Sequence, residues 1–191
     1  MSGLYTGKGD GGTTKTFEKD QPRISKASEM PEALGTLDEL NSFLGLARNR
    51  AKQVQDSSVK IGKKGRAISQ ILRDVQETLF IVQAEVAGAP KKVGKAKVTE
   101  VEKIITAIEL EIPPIVSFSI SGGTEVSALL DVARTLARRA ERRVVGVHEL
   151  GLRALSPNTR AYLNRLSSLL FALARFANHA SGIKEENPKY K

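Results

Sequence analysis

From residue 36 onward, apolar side chains recur every three or four positions, and the runs break at glycine and proline. Thr36 with Glu39 three residues later reads as a capping box, and Leu37, Leu40, Leu44 and Ala47 follow at helical spacing, predicting a helix over about 36–52. A second stripe, Ile68, Ile71, Leu72, Val75, Leu79, Val82 and Val86, continues until Gly88-Ala89-Pro90 stops it; a short basic loop joins the two. Thr99 and Glu102 form another capping box ahead of Val101, Ile104, Ile105 and Ile108, and Pro113-Pro114 end that shorter helix. After the apolar stretch Ile115 to Ile120 and the break Gly122-Gly123, the longest pattern covers about 124–149, with Leu129, Val132, Ala133, Leu136, Ala140 and Val144 directed to a core. It ends near Gly151. Asn158, after Pro157, is the expected cap of a last helix to about Ala180, whose stripe is Leu163, Leu166, Leu170, Leu173 and Ala177.

The sum is an all-α chain, a five-helix bundle preceded by an irregular Gly-rich N-terminal segment. One domain is expected, divided into an N-terminal segment (1–35), the bundle (36–180) and a tail (181–191). The β-branched clusters are too short and isolated to predict a sheet. At 191 residues the chain can bury a continuous core without staples. With no cysteine, disulfides and thiolate chemistry are excluded, and two histidines, His148 and His179, are too few for a histidine metal cluster. No apolar run approaches the roughly 20 residues needed to span a bilayer, and the first residues are rich in Gly and Lys, so a cytoplasmic protein with no membrane partner is expected.

Charge narrows the function. A net charge of +9 points to an anionic partner: nucleic acid, membrane surface or a polyphosphate ligand. Aromatics make up only 5% of the chain and there is no Trp, so stacking platforms for a single-stranded nucleic acid are scarce and nucleic acid is not the expected partner. Part of the excess, Lys91-Lys92, Lys95, Lys97 and the tail Lys189 to Lys191, reads as solvated loop.

Two segments have the composition of a phosphate site. Tyr5-Thr6-Gly7-Lys8-Gly9-Asp10-Gly11-Gly12-Thr13-Thr14 combines backbone donors freed by glycine, hydroxyls, a cation and a carboxylate able to hold a magnesium water. It contains G-x-G-x-x-G, but no strand–helix unit surrounds it, and no Gly-Lys is followed by Ser or Thr at Walker spacing. The alternative is an unstructured Gly-rich terminus. On the fourth helix, Asp131, Arg134, Arg138, Glu141 and Arg142 share a face, with Arg139 and Arg143 beside it. That pattern is either a solvated stripe laced with acid–base pairs or an anion site that an oligophosphate neutralises. Arg160, Asn164, Ser168 and Arg175 form a weaker polar stripe on the last helix. Asp38 at the start of the first helix fits a dipole role. A lone Phe such as Phe118 is usually core, His148 fits a dipole partner near a helix end, and His179 an exposed final-turn residue.

Together, several spaced blocks resemble the PduO-type ATP:cob(I)alamin adenosyltransferases from Tyr5 to about Ala177. They are Tyr5-Thr6 with Gly9-Asp10 and Gly12-Thr13-Thr14, Leu34 to Ser42, Ser121-Gly122-Gly123-Thr124, Val132-Ala133-Arg134, Arg138 to Arg142, and Leu163 to Ser167. The resemblance implies a homotrimer whose active sites lie where one chain's N-terminal segment meets another's arginine helix. It implies ATP binding by Thr6, Gly7, Lys8, Gly9, Asp10, Thr14, Lys15, Lys26, Arg138, Arg139, Ala140, Glu141, Arg142 and Asn164, with magnesium carried mainly by the phosphates. Asp38 would pair across the interface with Arg134, and Phe118 would press on the lower face of cobalamin, the reduced corrinoid substrate. A corrinoid reductase is the implied electron donor. Catalytic roles then fall to Asp38, Phe118, Arg134 and Arg138. The chain departs from the family pattern at Gly7, where a basic residue is usual, at Ser121 in place of Pro, and at Asp131 in place of His. Two rival readings are a nucleotide-sensing bundle without catalysis and a basic helical protein contacting nucleic acid through Arg138, Arg139, Arg142 and Arg143.

Overall fold

Five helices form along the stripes read from the sequence, and a computed structural model describes them over residues 3–17, 20–54 and 57–190. They are α1 (Glu29–Gln53), α2 (Ile68–Ala87), α3 (Lys95–Glu111), α4 (Glu125–Glu149) and α5 (Pro157–Ala180). Neighbouring helices pack in the order α2, α1, α4, α5, α3. Leu37, Leu40 and Leu44 of α1 meet Leu72, Leu79 and Val82 of α2, Leu130 and Ala133 of α4 and Leu166 and Leu170 of α5 in one buried cluster. Each such leucine contributes roughly 1.5–3 kcal/mol by leaving water.

The starts of three helices differ from expectation. α1 begins at Glu29, because Ser28 precedes a first turn that carries Glu29 and Glu32 at the positive dipole end, and Pro31 sits where no N–H partner is needed. Thr36 is therefore interior, and its buried hydroxyl donates to the Ala33 carbonyl at 3.0 Å. Asp38 consequently lies well inside the helix, so the dipole role falls away. α3 begins at Lys95 after Gly94, which leaves Thr99 inside it as well. Ser156, not Asn158, caps α5: its hydroxyl accepts from the Thr159 N–H at 3.2 Å, and Pro157 takes the first helical position.

Two hairpins replace stretches expected to be irregular. In the N-terminal segment β1 (Thr13–Lys15) pairs antiparallel with β2 (Arg23–Ser25), Thr14 opposite Ile24. In the basic loop β3 (Ser58–Ile61) pairs with β4 (Lys64–Ala67), turning at Gly62, whose φ of +62° suits a two-residue hairpin. The chain is thus helical with two small sheets rather than strictly all-α.

On α4 the buried stripe is Val126, Leu130, Ala133, Ala137, Ala140, Val144 and Val147. Leu129 and Leu136, partly buried against this core, form a second stripe beside it with Val132, which is 45% exposed rather than core. The two stripes are offset by about a quarter turn, so the sequence pattern fits both and only packing selects the core. Among the described residues no helix is long and apolar enough to cross a membrane. Lys191 of the basic tail lies outside the described residues.

Candidate active site

The Gly-rich segment is folded. Asp10 N–H donates to the Gly7 carbonyl (3.2 Å) and Gly12 N–H to the Gly9 carbonyl (3.1 Å), giving two successive turns. Gly7 and Gly12 take φ of +67° and +73°, which L side chains rarely adopt. Lys8 N–H donates to the Thr6 hydroxyl at 3.4 Å. The strand register then brings Lys26 back to this loop: its N–H donates to the Gly12 carbonyl at 2.9 Å, and its amine lies so close over Gly9 that a Cβ there would sit 2.9 Å from Nζ. Thr6, Lys8, Gly9, Asp10 and Lys26 are thereby gathered on one exposed loop. Thr14 and Lys15 are not brought in with them. Thr14 sits on the opposite face of β1 from Thr13, lining a cleft of about 590 Å³ with Ile24, Pro31 and Leu34. Lys15 Nζ reaches the Gln21 side chain at 3.1 Å.

Arg23 holds the loop, and sequence reasoning missed it. Its guanidinium donates to the Thr13 hydroxyl and carbonyl, both at 2.8 Å, and to the Lys8 carbonyl. A single arginine ten residues beyond Thr13 carries no signal until the hairpin is known.

The arginines of α4 divide into two sets. Arg139 pairs with Glu39 of α1, and Arg143 lies 3.4 Å from Glu32. Arg134 is 3.2 Å from Asp131 and stands over the Phe171 ring, 5.9 Å from its centroid. Arg138 and Arg142 are exposed; Arg142 donates to the Arg138 carbonyl at 3.1 Å, and among the described residues neither has a carboxylate partner. Glu141 accepts from the Asn164 amide at 3.1 Å, and Asn164 accepts from Arg165 at 2.6 Å, tying α4 to α5 beside the free pair. Ala140 is fully buried and offers no side chain to the site.

Phe118 is not core. The segment between α3 and α4 carries Ile115, Val116, Phe118 and Ile120 outward, with Phe118 79% exposed. An apolar cluster left in water on an irregular loop marks a surface built to be covered. Asp38 is exposed on α1, and no hydrogen bond or ion pair joins it to Arg134 within the described chain. His148 accepts from the Leu155 N–H at 3.2 Å, and His179 is exposed in the final turn of α5.

A family model described as Cobalamin adenosyltransferase matches residues 4–177. The chain belongs to this family. It is 38% identical over 184 residues to the corrinoid adenosyltransferase PduO of Citrobacter freundii, covering 92% of this chain and 50% of that protein. It is 37% identical to the corrinoid adenosyltransferase of Bacillus subtilis, covering 94% of this chain and 89% of that one. The chain spans about half the length of the PduO relatives it matches. Among solved structures, a PduO-type ATP:corrinoid adenosyltransferase of Lactobacillus reuteri, a phenylalanine-to-alanine variant complexed with cobalamin and ATP, superposes with a TM-score of 0.83. It is 26% identical and covers 98% of this chain and 100% of that one. In this adenosyltransferase family member, the Gly-rich loop, the arginine helix and the outward Phe loop all lie inside the matched span.

Proposed function

We propose that the protein transfers the 5′-deoxyadenosyl group of ATP to the cobalt of cob(I)alamin, giving adenosylcobalamin and triphosphate, and does so as a cytoplasmic homotrimer. The observation that carries this reading is the division of the arginine helix. Arg139 and Arg143 are neutralised by α1, whereas Arg138 and Arg142 stand exposed on consecutive turns with no carboxylate partner among the described residues. An oligophosphate is the natural partner for such a pair.

The chemistry asks for little else. Co(I) attacks the ribose 5′ carbon with its own electron pair; the cobalt–carbon bond forms as the carbon–oxygen bond breaks, and that pair leaves on triphosphate. Negative charge therefore grows on the leaving oxygen. Fixed donors from Arg138, Arg142, Lys8 and Lys26 stabilise it more in the transition state than in the ground state. No proton moves at the reacting carbon, so no general base is required. Thr6, Gly7 and Gly9 supply hydroxyl and backbone donors, and Arg139, Glu141 and Asn164 frame the site on the helix side. Among the described residues no group of three or more His, Cys, Asp or Glu could hold a metal, so magnesium belongs with the phosphates, where Asp10 can accept from a metal-bound water. Phe118 is the wedge against the corrinoid's lower face, excluding water and the lower ligand.

The trimer is supported by what one chain lacks. Among the described residues no hydrogen bond or ion pair links the Gly-rich loop to α4, so a neighbouring subunit would complete the site, with Asp38 and Arg134 pairing across the interface. Anaerobic mixing of the protein with Mg-ATP and chemically reduced cobalamin tests the reaction. Loss of Co(I) absorption, with triphosphate release and a light-sensitive product, is expected; ATP binding without product would leave a nucleotide sensor.

A further inference from the structure

The Phe118 loop has almost no structure of its own. Among the described residues, 113–121 make no backbone hydrogen bond to one another, and their fixings come from outside. At the N-terminal end, Arg175 of α5 donates to the Pro113 carbonyl at 3.1 Å while its Nε lies 3.0 Å from Glu185 of the tail. At the C-terminal end, Asn178, one turn further along α5 and 5% exposed, accepts from the Thr124 N–H and donates to the Gly122 carbonyl, both at 2.9 Å. The Asn178 amide presses so closely on Gly123 (φ +100°) that a Cβ there would lie 2.4 Å from it. The tail adds one strut: the Glu186 carbonyl accepts from Ile120 N–H at 2.7 Å. Behind the loop a cavity of about 470 Å³ opens, lined by Pro113, Val116, Ser117, Phe171 and Arg175, so packing alone does not fix the loop's height.

We infer that Arg175 and Asn178 are positioning residues that clamp both ends of the Phe118 loop and so set how far the aromatic wedge stands out toward the corrinoid. This rests on the proposed transferase reading. Both arise from the final turns of a helix whose first half carries Asn164, so one rigid element holds nucleotide-side and corrinoid-side parts in register. The Arg175–Glu185 pair is largely shielded, at 12% and 24% side-chain exposure, so its geometry is held rather than traded with water. Phe171, which lines the cavity one turn before Arg175, lies under the Arg134 guanidinium and continues the contact toward α4.

The chain contains no Trp, so Phe118→Trp supplies a single reporter whose quenching by acrylamide reads the loop without any turnover. In that background Arg175→Gln and Glu185→Gln should each shift emission and lower quenching as the loop settles toward the cavity, with Arg175→Lys returning part of the way. In the chain with Phe118 intact, the same substitutions should lower kcat at least tenfold, leave the KM for ATP within twofold, and reduce the fraction of lower-ligand-free cobalamin in the optical spectrum. Asn178→Ala, monitored with a thermal melt, should act in the same direction. Unchanged quenching and cobalt spectrum would overturn the clamp, as would equal loss of ATP and corrinoid binding, which means collapse of the bundle. Should the unmodified protein form no adenosylcobalamin at all, the transferase reading fails, and the Trp reporter still decides whether the clamp exists.

Discussion

Arg138 and Arg139 are neighbours in sequence with opposite circumstances. Arg139 spends its charge on Glu39, an exposed pair of the kind worth about 0.2–1 kcal/mol, whereas Arg138 has no carboxylate among the described residues. Removing Arg138 therefore costs the fold little and the transition state much. Arg138→Ala should lower kcat by about 10²–10³, the usual loss for one preorganised donor to a developing oxyanion, with the thermal midpoint nearly unchanged. Arg139→Ala should show a smaller loss of turnover alongside a small loss of stability; paired kinetics and melts of the two variants check this. If the two behaved alike, the division of the helix would not be functional. Asp131 belongs to the same scale. It stands where the family usually has His, and its carboxylate, 13% exposed, already engages Arg134. The proposed interface pair with Asp38 would therefore share the Arg134 guanidinium, which has donors enough for both.

At the scale of elements, the fastenings between helices matter more than the helices themselves. Glu85 on α2 is 4% exposed and serves the start of α5: it accepts from Ser156 N–H at 2.6 Å and from the Thr159 hydroxyl, placing a carboxylate at the positive end of the helix dipole. Glu85→Ala removes the acceptor of the half-buried Ser156 N–H, at about 1–3 kcal/mol, while the Thr159 hydroxyl keeps the Ser156 hydroxyl at 3.0 Å, and a urea titration should show the midpoint falling without change in slope. Arg66 on β4 similarly ties the β3–β4 hairpin to α2 through Asp74 and to α3 through Glu100 at 2.6 Å. Burial opposes the Glu100 charge, but the Arg66 hydrogen bond and the Lys97 and Arg66 charges outweigh it and hold its pKa below the ordinary carboxylate value. The contribution is therefore complete above the unfolded carboxylate pKa and lost as pH falls through the lower folded value. Stability measured against pH should decline across that acid window, and Glu100→Gln should flatten the decline. Neither fastening is legible in sequence, since apart from Arg66 and Asp74, eight residues apart, the partners lie 34 to 74 residues apart. The helices themselves were legible, because the buried stripes of α1, α2, α3 and α5 fall where the spacing put them. Their starts were not: Thr-x-x-Glu at 36–39 and 99–102 occurs inside helices, and only neighbours distinguish a cap from an interior turn.

At the scale of the molecule, net charge pointed to an anionic ligand for a reason only partly sound. Segments 57–66 and 91–103 carry nine basic and two acidic side chains, a net of +7 out of +9, on the β3–β4 hairpin and the start of α3. Around the arginine helix, by contrast, Glu32, Glu39 and Asp131 engage three of the five arginines, and among the described residues the other two, Arg138 and Arg142, have no carboxylate partner. Placement, rather than total charge, makes the candidate site, and the proposed trimer would complete that placement. No hydrogen bond or ion pair joins the Gly-rich loop to α4 among the described residues, while in the second apolar stripe of α4 Leu129 and Leu136 pack partly buried against the core and Val132 is 45% exposed. If that stripe is the subunit contact that brings one chain's loop to another's arginines, Val132→Glu should convert the proposed trimer to a monomer by light scattering. Because Val132 is already 45% exposed, the change should leave helicity intact. The monomer should also lose turnover although every residue of the site is unchanged. A monomeric variant with full activity would mean that each chain closes its own site, and Asp38 would then have no part in it.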